Sequence, residues 1–394
     1  MRDDESSVRH VLMTADAVGG VWTYALELAA QLGRWGIRTT LATMGEPLRE
    51  PQRRALARVP SLSVVESSLK LEWMEDPWND VAAAGEWLRA LEERVRPDVV
   101  HLNGYVHAAV DWRAPKLVVA HSCVLSWWKA VLGEAPPAKY ARYRVEVARG
   151  LRAADALVAP TRAMLRAVRE HYGARLRGLV IPNGVDRSRA APTRKEPMVL
   201  AAGRLWDRAK NLAALTAAAP RVRWPVYVAG SSAHPDEGVR DAARPGSAVR
   251  ALGWLDRDDL HGWMARAAIY AFPARYEPFG LSVLEAAVSG CALVLGDIGS
   301  LREVWGDAAL YAPPDDVDAL VAAIERLAGD DALRARLATA ARARARALTA
   351  ERMARRYVDL YRELVSRRSA GAAPPLAVVR SPGDERRSTV QPCA

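Results

Sequence analysis

The residues best suited to chemistry are two cations six positions apart, Arg204 and Lys210, in the segment GRLWDRAKN at 203–211. A guanidinium presents a forked set of donors and an ammonium a compact charge, so a diphosphate would fit against the pair. Lysine is scarce here, occurring only at positions 70, 116, 129, 139, 195 and 210, which makes Lys210 a less casual choice. The next segment is EPFGLSVLEAAVSG at 277–290. Pro278 and Gly280 define a turn, and a helix starting at Leu281 would aim its free N–H groups at an anion. Glu277 and Glu285 would lie about 12 Å apart if the interval were helical, whereas the two carboxylates of a glycosidase sit about 5–9.5 Å apart. They therefore read as holding different parts of one long ligand. Glu285, set among Val283, Leu284, Ala286, Ala287 and Val288, would be a half-buried charge in need of a partner.

Gly19 and Gly20 separate an apolar run from a helical stretch. Backbone N–H groups can approach an anion there, or the glycines simply make a tight turn. The spacing is not G-x-G-x-x-G and no Walker sequence is present, so NAD and ATP lose their strongest signatures. Asn103 and His121 each close a short apolar run. Trp127 and Trp128 follow soon after; indoles cover a sugar face or an apolar aglycone, and as often they pack. Asp256–Arg257–Asp258 mimics a D-x-D metal motif, but beside Asp259 and Leu260 it reads as a helix cap. Cys123, Cys291 and Cys393 are too far apart for metal-ligand spacing.

These candidates must be held by regular elements, and the hydropathy pattern supplies them twice. Apolar strand-like runs fall at 8–15, 39–43, 62–65, 98–102, 117–121, 156–159 and 179–181, with helical patterns at 21–36, 79–95, 139–154 and 161–172. After a polar stretch at 187–197 the pattern restarts at 198–202, 226–229, 249–252, 269–272, 292–295 and 309–312. Continuous apolar strands alternating with helices predict two doubly wound parallel sheets, with ligands beyond the carboxyl ends of the strands. Residues 318–367 read as helical, ending with Met353, Tyr357, Leu360, Tyr361 and Leu364 on one side. From 369 onward there is no periodicity, and disorder is expected.

Half of the 394 residues are hydrophobic and 26% are charged, which suits two cores and excludes a chain disordered throughout. No run approaches the roughly 18 apolar residues of a membrane span, and the acidic start is unlike a signal peptide, so a cytoplasmic location is expected. The net charge of +10 and the Arg-rich stretch at 331–367 permit peripheral association with the inner face of a plasma membrane, although a solvated basic face is the plainer reading. No nucleic-acid partner is expected.

Taken together, GRLWDRAKN and EPFGLSVLEAAVSG resemble the signature of glycosyltransferase family 4, with support from VGG (18–20), AHS (120–122), IPNGVD (181–186) and LGWLDRDDL (252–260). The resemblance spans about 8–366, strongest at 179–312 and weak at 46–93. It implies the GT-B fold: two Rossmann-like domains with a cleft between them. Residues 1–186 would form the acceptor side, 187–197 a linker, and 198–348 the nucleotide-sugar-binding side. The helix at 349–368 would pack back on the first domain, and 369–394 would be a disordered tail.

The implied activity is a retaining, metal-independent transfer of a hexose from a UDP-, GDP- or ADP-sugar to a sugar or lipid-linked acceptor, as in bacterial polysaccharide biosynthesis, with no cofactor. Carried over by residue, Arg204 and Lys210 would neutralise the departing diphosphate and Glu277 would touch the donor sugar. The Phe279, Gly280 and Leu281 backbone would help hold sugar and phosphate, and Glu285 would accept from the ribose hydroxyls. His121 would lie beside the sugar, with Gly19, Gly20, Gly203 and Trp254 also on the donor. Asn103, Trp127 and Trp128 would meet the acceptor. A same-fold epimerase or phosphorylase, and a noncatalytic nucleotide-sugar-binding protein, are the alternatives.

Overall fold

The computed structural model describes residues 8–17, 19–186, 193–232 and 248–370. The chain builds two wholly parallel sheets, one after the other. The first contains β1 (His10–Asp16), β2 (Arg38–Met44), β3 (Leu62–Glu66), β4 (Val99–Leu102), β5 (Lys116–Val119), β6 (Ala156–Ala159) and β7 (Leu179–Val180), in the order β3-β2-β1-β4-β5-β6-β7. The second contains β8 (Glu196–Ala202), β9 (Val226–Ala229), β10 (Val249–Gly253), β11 (Ala267–Phe272), β12 (Ala292–Gly296) and β13 (Leu310–Ala312), in the order β10-β9-β8-β11-β12-β13.

The strands are apolar on both sides because helices cover both faces of each sheet. The period of two divides β1 between two cores. Val11, Met13 and Ala15 pack with the helices Gly20–Arg34 and Ala350–Ser369. Leu12 faces the opposite core with Leu88 and Leu102. In β8, Leu200 and Ala202 go to one side while Val199 and Ala201 go to the other. Strand order reverses between β1 and β4 and again between β8 and β11, and in such sheets the crevice beyond the reversal receives ligands. Gly19 follows β1, Asn103 follows β4, Gly203 follows β8 and Glu277 lies beyond β11. The two crevices face each other.

The helix Ala350–Ser369 belongs spatially to the first sheet: Met353, Tyr357, Leu360, Tyr361 and Leu364 join its core, and Thr349 caps its start by accepting from Arg352 N–H at 3.2 Å. The chain thus passes between the two halves twice, and the passages are bonded to each other. Val185 N–H donates to Leu348 O at 3.3 Å, and Ala350 N–H donates to Val185 O at 3.2 Å. Gly184 permits this approach, since a Cβ there would lie 2.2 Å from Thr349 O.

Several expected boundaries shift. β8 begins at Glu196, so the polar stretch expected to link the halves up to 197 is shorter at that end. The Lys195 ammonium donates to Met264 O (2.9 Å) and Ser289 O (2.7 Å), drawing its segment onto the second half. Residues 187–192 and the expected tail beyond 370 lie outside the described residues, as does Val18, and the last helix runs to Ser369. β5 ends at Val119, so His121 stands in the loop beyond the strand and not at its end. Helices at Glu50–Leu56 and Val124–Leu132 had no counterpart in the sequence reading; the second carries Trp127 and Trp128. Among the described residues no helix is long and apolar enough to cross a membrane.

Candidate active-site cleft

A cleft of about 890 Å³ opens between the two halves, and every residue singled out from the sequence for donor or acceptor lines it. On the second-sheet wall the loop after β8 is organised by Asp207. Its Oδ1 accepts from Ala209 N–H at 3.0 Å, and its Oδ2 lies 2.9 Å from Arg204 Nη2 and 4.0 Å from Lys210 Nζ. Lys210 Nζ also pairs with Glu277 Oε2 at 2.8 Å. Burial pushes both carboxyls up, yet Lys210 with its neighbours outweighs burial and holds Asp207 and Glu277 below the usual carboxylate range. Two cations and two carboxylates therefore form one fixed, neutral set. Across the cleft, a Cβ on Gly19 would lie 3.6 Å from Arg204 Nη1, so the glycine turn faces the guanidinium.

The turn before the helix Leu281–Val288 needs a left-handed residue, and Gly280 supplies it with φ of 89°. Phe279 and Gly280 were expected to offer backbone donors to sugar and phosphate. In this structure both donate to Glu277 Oε1, at 3.3 and 3.0 Å, and fix the carboxylate that Lys210 meets.

Glu285 has the partner its surroundings demanded. Its Oε1 accepts from Arg257 Nε and Nη2 (3.2 and 3.1 Å) and lies 3.3 Å from His261 Nε2. Burial raises the Glu285 carboxyl, but His261 and Arg257 bring it below the usual range. The other edge of Arg257 meets Glu27 Oε1 of the first half at 2.6 Å, and Glu27 Oε2 accepts from Asp186 N–H at 3.0 Å. Asp256 caps its helix as expected, accepting from Asp259 N–H at 2.9 Å. The sequence reading missed Glu27, Arg257 and Asp207 as site residues. The available signal was a lone carboxylate on the apolar face of the helix Gly20–Arg34.

The first-sheet wall is built differently. Asn103 donates through Nδ2 to Thr14 O at 2.7 Å, which leaves Oδ1 to accept from His121 Nε2 at 2.8 Å. His121 thus carries its proton on Nε2. Behind it, His101 Nε2 lies 3.2 Å from both Asn103 Oδ1 and Tyr24 OH, and its Nδ1 lies 2.6 Å from Tyr361 OH on the last helix. The Tyr24 ring stands edge-on to His121, with centroids 4.4 Å apart. Burial pushes both imidazoles down to about 3, helped at His101 by the neighbouring His121, so both are neutral near pH 7.

The expected acceptor residues separate. Trp127 Nε1–H donates to Asp207 Oδ1 at 3.0 Å, so this indole braces the cation loop of the other half and is not free to meet an acceptor with its polar edge. Trp128 packs near Tyr140, with centroids 5.8 Å apart. Trp254 is exposed, and the Arg49 guanidinium of the first half lies 5.8 Å from its ring centroid. Among the described residues no three His, Cys, Asp or Glu side chains form a cluster that could hold a metal ion.

Comparison with known proteins bears on the family and the fold. The family model described as Glycosyltransferase Family 4 matches residues 18–189, and the one described as Glycosyl transferases group 1 matches 196–330. A glycogen synthase of Mycobacterium tuberculosis is 34% identical over 49% of this chain and 50% of its own length, so the match spans about half of that relative. A D-inositol 3-phosphate glycosyltransferase of Nocardioides is 29% identical over 89% of this chain and 86% of its own. Among solved structures, sucrose-phosphate synthase of Thermosynechococcus elongatus superposes with a TM-score of 0.76 at 19% identity, over 91% of this chain and 99% of that one. At that identity the likeness speaks for the fold alone.

Proposed function

The chain belongs to glycosyltransferase family 4, with the GT-B fold, and on that footing we propose that it moves a hexose from a nucleoside-diphosphate sugar to a hydroxyl of a sugar, inositol-type or lipid-linked acceptor. The observation that carries the reading is the Arg204–Asp207–Lys210–Glu277 set facing the Gly19 turn. Breaking the anomeric C–O bond leaves negative charge on the diphosphate and positive charge on the sugar. Arg204 and Lys210 stand ready for the former, already oriented by carboxylates, so little reorganisation is needed during reaction. Glu277, ionised beside them, suits the donor sugar, and Glu285 suits the ribose hydroxyls through the oxygen that Arg257 and His261 do not engage.

No step in this scheme calls for a metal. The departing phosphate oxygen takes the acceptor proton as the new bond forms on the same face, which keeps the anomeric configuration. His121, neutral and held by Asn103, offers the sugar a fixed polar contact without adding charge beside the developing oxocarbenium. The test is nucleoside-diphosphate release from UDP-, GDP- and ADP-hexoses by the wild type, Arg204→Ala and Lys210→Ala, after a thermal-shift screen for the base. Near wild-type turnover in both variants would overturn the reading, as would absence of release from every donor.

A further inference from the structure

Glu277 is fixed within its own half by Lys210, yet the residues on either side of it are fixed to the other half. The Tyr276 hydroxyl accepts from Cys123 N–H at 3.0 Å and lies 3.6 Å from Met164 Sδ. Burial pushes that phenol up, so it stays protonated and uncharged. Pro278 O accepts from Thr161 Oγ at 2.9 Å, and Thr161 is 1% exposed. By contrast, Arg275 N–H donates to Ala209 O at 2.9 Å and Ser300 Oγ donates to Glu277 O, both within the second half. Residues 275–278 are thus tied alternately to the second half and to the first. Beside them the Glu303 carboxylate accepts from Arg162 N–H (2.7 Å) and Ala163 N–H (2.9 Å), so it meets the start of the helix Arg162–Tyr172 from across the seam.

We propose that Tyr276 and Thr161 are positioning residues for the transfer step: their hydroxyls hold Glu277 in register with His121 across the cleft. The inference rests on the glycosyltransferase reading, in which His121 and Glu277 meet the same sugar. Cys123 stands in the loop that carries His121, between β5 and the helix Val124–Leu132. One hydrogen bond therefore separates that loop from the residue before Glu277. Each wall is braced internally, His121 by Asn103 and Glu277 by Lys210, so the freedom that remains is between the walls. A bond joining the His121 loop to the Glu277 turn removes that freedom where the anomeric carbon must be placed. Arg204, Lys210 and Glu285, the groups assigned to the diphosphate and ribose, hold their places without either hydroxyl. Loss of a hydroxyl should accordingly slow turnover and leave nucleotide binding alone.

Tyr276→Phe keeps the ring and removes the hydroxyl. With the hexose donor found active among the UDP, GDP and ADP forms, kcat for nucleoside-diphosphate release should fall about tenfold, while donor KM and the calorimetric Kd of the free nucleoside diphosphate stay within about twofold. Thr161→Val should act in the same direction, and Thr161→Ser, which keeps the hydroxyl, should retain wild-type kcat. Thr161 Oγ also accepts from Met164 N–H at 3.0 Å, so Thr161→Val loses a helix cap as well. Rates are therefore expressed per nucleotide-binding site counted by calorimetry, which a partly unfolded sample does not distort. Wild-type turnover in Tyr276→Phe or Thr161→Val overturns the proposal, as does a loss carried by KM or nucleotide affinity, or a Thr161→Ser variant as slow as Thr161→Val. No release by the wild type from any donor overturns the glycosyltransferase reading and this proposal with it, whereas release by the wild type with unaltered variants overturns the proposal alone.

Discussion

The two walls of the cleft handle charge in opposite ways. On the second-sheet wall, ionised groups stay ionised because each buried charge meets its opposite: Asp207 with Arg204, Glu277 with Lys210, Glu285 with Arg257. On the first-sheet wall, the two histidines are kept neutral: His101 and His121 are buried among Tyr24, Asn103 and Tyr361, and among the described residues no carboxylate is hydrogen-bonded to either ring. A wall of paired ions suits a ligand that changes charge during reaction, since its cations exchange one anion for another at low reorganisation cost. A wall of neutral dipoles suits a sugar, which is recognised by hydroxyl geometry.

Breaking the charged wall should have the largest effect. Lys210→Ala removes a cation from the leaving group and strands Glu277, so nucleoside-diphosphate release should fall by about 10²–10³-fold with the fold intact. A loss under tenfold would place leaving-group stabilisation elsewhere. Arg257→Ala removes the cation shared by Glu27 and Glu285; truncating one member of a buried ionic set costs about 3–5 kcal/mol, reduced here because Arg257 keeps 23% of its side-chain surface exposed. A lowered midpoint in urea and a donor KM raised several-fold are expected; an unchanged donor KM would detach Arg257 from donor binding.

The neutral wall should yield smaller and differently shaped effects. Asn103→Ala takes the acceptor away from His121 Nε2–H, and a lost buried hydrogen bond costs about 1–3 kcal/mol, so kcat should fall roughly tenfold or more. Both histidines have folded values of about 3, below the unfolded 6.5, so their contribution to stability is complete above about pH 6.5 and is lost as pH falls toward 3. Thermal midpoints should therefore drop on acidification from pH 7 to pH 4. His121→Asn should flatten that slope, and an identical slope would mean that the ring titrates normally. The smallest effect is expected for Trp127→Phe, which keeps an aromatic ring of smaller size but loses the N–H to Asp207, about 1.5 kcal/mol. Urea titration of that variant measures it directly.

What was legible in the sequence is what lies close together along it. Arg204 with Lys210, and Glu277 with Glu285, fall in short segments at strand ends, so residue type and spacing alone point to an anionic ligand. The strands were readable because burial on both faces makes them continuous apolar runs, and the last helix because Met353, Tyr357 and Leu364 repeat at helical spacing. Glu27 and Arg257 meet from distant helices in opposite halves, and nothing local to either marks the contact. Trp127 shows the converse: an indole near the cleft suggests a ligand contact, but its partner, Asp207, is far off in the chain. β8 starts before its expected residue because Glu196 pairs with Ala267 of β11 in the sheet.

The bonded passages at Val185 and Thr349 set a mechanical rule for the whole molecule. A single tether would behave as a swivel, letting the halves twist, slide and tilt. Two tethers laced side by side behave as a door hinge: opening about one axis strains them little, whereas sliding must break the Val185–Leu348 and Val185–Ala350 hydrogen bonds. Gly184 is the pin of that hinge, because any Cβ there would wedge the tethers apart at Thr349. Distance distributions between spin labels on the two halves should consequently be narrow in one direction and broad in the other, and Gly184→Ala should broaden both.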